Sequence, residues 1–236
     1  MSAGRARGLG DRDVESLFTG RRLVDDFSTI PVWMRNLAQA VDGTRLPGPI
    51  AQLTGLAPAT ARRGSVLMLF ADGPGGPDLL LTERAATMRS HAGQPAFPGG
   101  ANDPGEDAVA AALREGSEET GLDPASVLPV AMFPEMFLPP SSFLVSPVLA
   151  YWRKPGEVRA VDPAETAAVA RVPVSELSDP ANRGQVRLSN GWVGPAFRVA
   201  DLLVWGFTAG LVDSLLDLGG WSMPWDHDRL FDLSDY

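Results

Sequence analysis

One stretch of the chain, Asp103 to Leu122, reads DPGEDAVAAALREGSEETGL, and it restricts the possible folds more than any other. It is punctuated as a helix. Asp103 is placed as N-cap, Pro104 as first residue, Glu106 as the capping partner three residues on, and Gly121 with Leu122 as the close. At about 100° per residue, Glu115, Glu118 and Glu119 share one arc, while Val109, Ala112, Leu113 and Gly116 fill the next. A small, apolar stripe of this kind has to lie against a close partner, with the acids beside it. Gly116 sharpens the point, since glycine inside a helix costs about 1 kcal/mol relative to alanine, and close approach to a sheet is its expected use.

The sheet is expected on both sides of that helix. GSVLMLF and LLLTER, separated by the turn-rich ADGPGGPD, read as a hairpin, and AFPGG as a short strand ending in a glycine pair. SVLPVAMF and SFLVSPVLAYW read as further strands. ETAAVARVPVSEL reads as a strand entering a short helix, VRLSN with GPAFRVA as a late hairpin, and VWGFTAGLVDSLLDLG as a closing helix. This order predicts an α/β or α+β sandwich, a mixed sheet between helices. One domain is expected over residues 61–220. It is preceded by a 1–60 extension, loose to about residue 25 and then helical in IPVWMRNLAQAV, and followed by a partly disordered acidic tail, 221–236.

Three neighbouring carboxylates repel one another, since like charges on adjacent helical turns are unfavourable by a few tenths of a kcal/mol. A divalent cation reverses the sign, and carboxylate oxygens suit Mg²⁺ or Mn²⁺. A bare ExxEE is more often a solvated acidic face, so the residues ahead of the helix have to decide. Net charge of −9 argues against a nucleic-acid partner, while a small anionic substrate remains possible. The absence of cysteine excludes disulfides, thiolate nucleophiles and Cys-containing zinc sites. No run approaches the roughly 18 apolar residues of a membrane span, so a cytoplasmic protein without a membrane partner, monomer or homodimer, is the default expectation.

From Gly100 to Leu122 the chain resembles the Nudix box, G-x5-E-x7-R-E-U-x-E-E-x-G-U, at Gly100, Glu106, Arg114, Glu115, Glu118, Glu119, Gly121 and Leu122. It departs from that pattern only at Gly116, where an aliphatic residue is usual. Upstream, LLTERAATMRSHAGQPAFPGG is similar to the signature of coenzyme A diphosphatases within that superfamily. The match runs through Leu80, Leu81, Thr82, Arg84, Ala85, Arg89, Gly93, Phe97, Pro98, Gly99 and Gly100.

The resemblance implies an α/β/α Nudix fold and metal-assisted attack of water on a diphosphate. It implies Glu115, Glu118, Glu119 and the Gly100 carbonyl as ligands to Mg²⁺ or Mn²⁺, so no protein nucleophile is needed. Arg114 is expected to pair with acids including Glu106, or with Glu118 one turn on. Arg84 and Arg89 are expected at substrate phosphates, with Gly93 and Gly99 shaping the approach of the backbone. His91 is either structural or an acid–base group, and Phe97 packs under the glycines. The general base stays open among Glu118, Glu119 and Glu165, and MFPEMFLPPSSF, containing Glu135, is either a specificity loop or a plain connection. Coenzyme A or its thioesters is the implied substrate. NADH, ADP-ribose or a nucleoside triphosphate is the alternative, and a non-catalytic nucleotide sensor is a third reading.

Overall fold

The computed structural model describes residues 20–41, 49–53, 57–87, 92–139 and 141–233. Its centre is β2 (Arg62–Gly73), which runs parallel to β8 (Phe143–Trp152) along its length and antiparallel to β3 (Gly76–Arg84) at its far end. Strands β4 (Pro95–Ala96) and β5 (Gly99–Ala101) bring the glycine pair back, β5 lying against the first half of β2. β6 (Val127–Met132) and β7 (Met136–Leu138) pair antiparallel with β8, and β9 (Thr166–Pro173) with β3. The hairpin reaches further into ADGPGGPD than its composition suggests, because only Pro74 and Gly75 turn between the Gly73–Gly76 pair.

β2 is buried on both faces, as a central strand receiving helices on each side must be. Leu67, Leu69 and Ala71 pack with Ala112 of the acidic helix, with Leu122 just past its end, and with Val148, Ala150 and Trp152. Met68 and Phe70 point the other way, into a core with Phe97, Leu149 and the closing helix. The expected sandwich is therefore present.

The acidic helix starts later than its sequence suggests. It spans Ala108–Thr120, and the N-cap is Asp107, whose Oδ1 accepts from the N–H groups of Val109 and Ala110, both at 2.9 Å. Asp103 to Glu106 form a type II turn instead. The Glu106 N–H donates to the Asp103 carbonyl at 3.0 Å, and Gly105 stands at φ +83°, which no helical first turn allows. Glu106 does reach back to the Asp103 N–H, at 3.0 Å, so the reciprocal contact survives ahead of the helix. Gly121 closes the helix at φ +72°, as expected.

In chain order the α-helices are α1 (Arg35–Ala40), the acidic helix α2, α3 (Val174–Ser178) and α4 (Gly206–Gly219). α1 lies where the sequence placed it, with Leu37 and Ala38 buried. Residues 20–25 are not loose: β1 (Arg21–Arg22) pairs with β6. A second, antiparallel sheet of β10 (Arg183–Arg187), β11 (Val193–Val199) and β12 (Leu202–Val204) packs against α4. Charge alone suggests a partly disordered C-terminal tail, yet its described part docks on this sheet. The Gln185 N–H donates to the Arg229 carbonyl and the Phe231 N–H to the Gln185 carbonyl, both at 2.8 Å. Among the described residues no helix is long and apolar enough to cross a membrane.

Candidate active site

Arg114 organises the acids. Its Nε and Nη2 donate to the two carboxylate oxygens of Glu106 at 3.0 Å each, its Nη1 to Glu115 and Glu118 at 2.9 Å each, and Nη2 also to the Ala101 carbonyl at 3.0 Å. Both expected partnerships, with Glu106 and with the i,i+4 acid Glu118, are therefore made at once. Such a fork fixes the loop ahead of α2 to the helix and to β5. The Glu106 hydrogen bonds hold the Arg114 guanidinium well above its usual pKa, and Arg114 holds the Glu106 carboxyl below its own.

Glu115 and Glu119 differ from Glu118 in burial. The side chain of Glu118 is 61% exposed and that of Glu115 only 16%. Burial pushes the Glu115 carboxyl up, with Arg114 opposing. Burial pushes Glu119 up to about 7, against a hydrogen bond from the Gly99 N–H at 3.3 Å and the nearby charge of Arg84. Both buried acids lie where a cation would restore the charged form.

The glycine pair is what lets these acids approach. A Cβ on Gly100 would stand 2.6 Å from Glu115 Oε2, inside its carboxylate, and one on Gly99 would stand 2.8 Å from the backbone of Val66. Gly93, at φ +69°, donates its N–H to the Arg84 carbonyl at 3.0 Å. Arg84 lies close enough to Glu119 to act on it electrostatically, and its Nε is buried with no hydrogen-bond acceptor among the described residues. Arg89 and His91 lie outside the described residues.

Glu165 is brought in from a distance in sequence. Its carbonyl accepts the Ala85 N–H at 2.9 Å, and its charge is felt at Glu119. The segment ahead of it also caps α2, with the Arg159 N–H donating to the Thr120 carbonyl at 3.0 Å and the Val161 N–H to the Glu119 carbonyl at 3.2 Å. Sequence reading missed this strap because backbone donors leave no residue signature. Glu135 is held by Arg63 Nη1 at 2.8 Å and Ser146 Oγ at 3.0 Å, and Met136–Leu138 after it form β7, so that segment is a paired connection for part of its length.

Among the described residues no three acidic or histidine side chains converge on one point as they stand. Glu115 and Glu118 share Arg114, and Glu119 turns to Gly99. The donors nevertheless fit a hard divalent ion, being carboxylate oxygens packed beside the Gly99–Gly100 backbone.

The NUDIX domain model matches residues 61–190. The chain belongs to the Nudix family. A protein of Cronobacter sakazakii named uncharacterized Nudix hydrolase NudL is 38% identical over 149 residues, 59% of this Nudix chain and 73% of that one. Its namesake in Escherichia coli K12 is 35% identical over 162 residues, 65% of this chain and 81% of the other. The crystal structure of the M. smegmatis Nudix hydrolase RenU is 21% identical, covers 71% of this chain and 91% of its own, and superposes with a TM-score of 0.48. Family membership makes the fold the Nudix fold, α2 its box helix, and the protein a hydrolase of diphosphate-linked nucleosides.

Proposed function

We propose that this Nudix hydrolase cleaves the diphosphate bridge of coenzyme A or its thioesters, releasing adenosine 3′,5′-bisphosphate and a 4′-phosphopantetheine species. The contact between the Gly99 N–H and Glu119 carries the reading. Gly99 belongs to the upstream signature and Glu119 to the box, so the segment that resembles coenzyme A diphosphatases meets the acids of the general hydrolase at one place.

In this reading Glu115, Glu118, Glu119 and the Gly100 carbonyl hold Mg²⁺ or Mn²⁺. When bound, the ion neutralises charge on the phosphoryl oxygens and lowers the pKa of coordinated water. Arg84, with Arg89, presents guanidinium charge to the diphosphate. Arg114 acts through others, fixing Glu115, Glu118 and the Ala101 carbonyl. The attacking water gives up its proton to a carboxylate. Glu118, Glu119 and Glu165 are the candidates, Glu165 lying near enough for its charge to act on Glu119.

The test is incubation with Mg²⁺ or Mn²⁺ and coenzyme A, acetyl-coenzyme A, NADH, ADP-ribose or deoxynucleoside triphosphates, with products identified by mass. Coenzyme A surviving while another diphosphate is cleaved would remove the substrate assignment alone; survival of all of them would remove the activity. Glu118→Gln and Glu119→Gln are expected to lower kcat by at least a hundredfold with the circular dichroism spectrum unchanged. Full turnover in both would place the metal elsewhere.

A further inference from the structure

Arg62 and Phe143 face each other where β2 and β8 begin, as partners in the parallel register. The Arg62 guanidinium carbon lies over the Phe143 ring, 4.4 Å from its centre. Arg62 is exposed and Phe143 half-buried. Neither residue belongs to the box or to the upstream signature. Their position follows from strand alternation. Even-numbered residues of β2 point away from α2, so Arg62 lies on the side of Met68 and Phe70, as Phe143 lies on the side of Leu149.

That side is joined to the acid cluster through glycine. A Cβ on Gly64 would stand 2.8 Å from the Gly100 carbonyl oxygen and 2.9 Å from Phe143 Cδ1, so the carbonyl and the ring edge border one gap. The Glu115 carboxylate occupies the place of a Cβ on Gly100 itself. The Gly100 carbonyl oxygen thus borders the ring edge on one face of the sheet, while the Glu115 carboxylate packs against the Gly100 Cα on the other, so this one glycine carries both contacts.

A guanidinium stacked on an aromatic ring offers a flat, polarisable surface whose outer face accepts a nucleobase and whose N–H edge accepts phosphate oxygens. We propose that the Arg62–Phe143 pair is the nucleobase platform of this enzyme, stacking the purine of its substrate while the Arg62 edge takes a phosphate carried on the ribose. The assignment rests on the reading that the diphosphate lies at the acid cluster. It deepens that reading by naming what grips the nucleoside end. The acids act on the bridge, which every diphosphate substrate shares. The platform acts on the base and its ribose phosphate, where substrates differ.

The probe is adenosine 3′,5′-bisphosphate, titrated calorimetrically against the full chain without divalent metal, with ribose 5-phosphate as the baseless comparison. Phe143→Leu is expected to weaken adenosine bisphosphate binding about tenfold, the scale of one lost stacking contact, and to leave ribose 5-phosphate unchanged; Arg62→Gln, which also loses the phosphate edge, is expected to weaken the bisphosphate at least as much. Arg62→Lys, which keeps the charge and loses the plane, is expected to fall between. In turnover, the cost is expected in KM, with kcat within about twofold. Failure of the natural chain to bind the probe, or equal binding by both variants, would overturn the platform. If Phe143→Leu does not fold, Arg62→Gln at its exposed position decides alone. Loss of binding in the variants together with no hydrolysis of any diphosphate would leave the platform standing and sink the activity; cleavage of coenzyme A with unchanged binding in the variants would do the reverse.

Discussion

At the scale of single residues, Glu119 is the most informative. Its carboxyl is pushed by burial from 4.5 to about 7. The sign follows from linkage. Below pH 4.5 both the folded and the unfolded chain carry the proton, and Glu119 adds no penalty. Between pH 4.5 and about 7 the unfolded chain ionises while the folded one resists, so stability falls as pH rises and levels off above 7. Glu119→Gln keeps the shape and removes the ionisation. In metal-free buffer the variant is expected to match the parent near pH 4 and to be more stable at pH 8 by about 1–3 kcal/mol, read from urea midpoints. Added Mg²⁺ should stabilise the parent and not the variant. A difference independent of pH would show that Glu119 is not strained by its burial. The acids themselves were legible in the sequence because their spacing is the helix period. Their unequal burial was not, because it depends on Gly99, Gly100 and the strap at residues 159–161, which come from elsewhere in the chain.

At the scale of elements, α2 shows where sequence reasoning succeeds and where it slips. Its C-terminus was readable because Gly121 in the left-handed region is a local device. Its N-terminus was misplaced because Asp103-Pro104-Gly105-Glu106 fits a cap and a type II turn equally well, and only the φ of Gly105 separates them. Gly116 was readable as a point of close approach, and Leu67 is what it approaches: an added Cβ would stand 2.8 Å from Leu67 Cδ2 and 3.3 Å from Leu122 Cδ2. Two effects compete in Gly116→Ala. The helix gains about 1 kcal/mol of propensity, and a fully buried leucine has to shift, which costs about 1–3 kcal/mol. A net loss of about 1 kcal/mol is expected on chemical denaturation. Adding Leu67→Val should remove part of that loss, giving a favourable coupling between the two substitutions. Simple additivity would show that the helix moves instead of the leucine.

At the scale of the whole molecule, the central hairpin and the order of layers were legible because β2 carries apolar residues on both faces and the connecting segments carry turn residues. The packing of the two ends was not. The N-terminal Trp33 stacks among Phe70, Tyr151 and Trp221, and the acidic tail covers the second sheet, but neither contact has a periodic signature. The tail is anchored by Arg183, whose side chain is 1% exposed. Its guanidinium pairs with Asp213 of α4, reaches Ser222 Oγ at 3.4 Å, and lies over the rings of Phe197 and Trp225. Burial lowers the Arg183 pKa and raises that of Asp213, and the charge of each opposes the shift of the other. Asp213→Asn would strand a buried guanidinium among aromatic rings and is expected to cost about 3–5 kcal/mol. Replacing both, Arg183→Met with Asp213→Leu, removes the two desolvated charges together and is expected to recover most of that loss. If Asp213→Asn instead costs less than about 1 kcal/mol, water reaches Arg183 in solution, and the tail is held by Phe231 and its backbone bonds to Gln185 rather than by the ion pair.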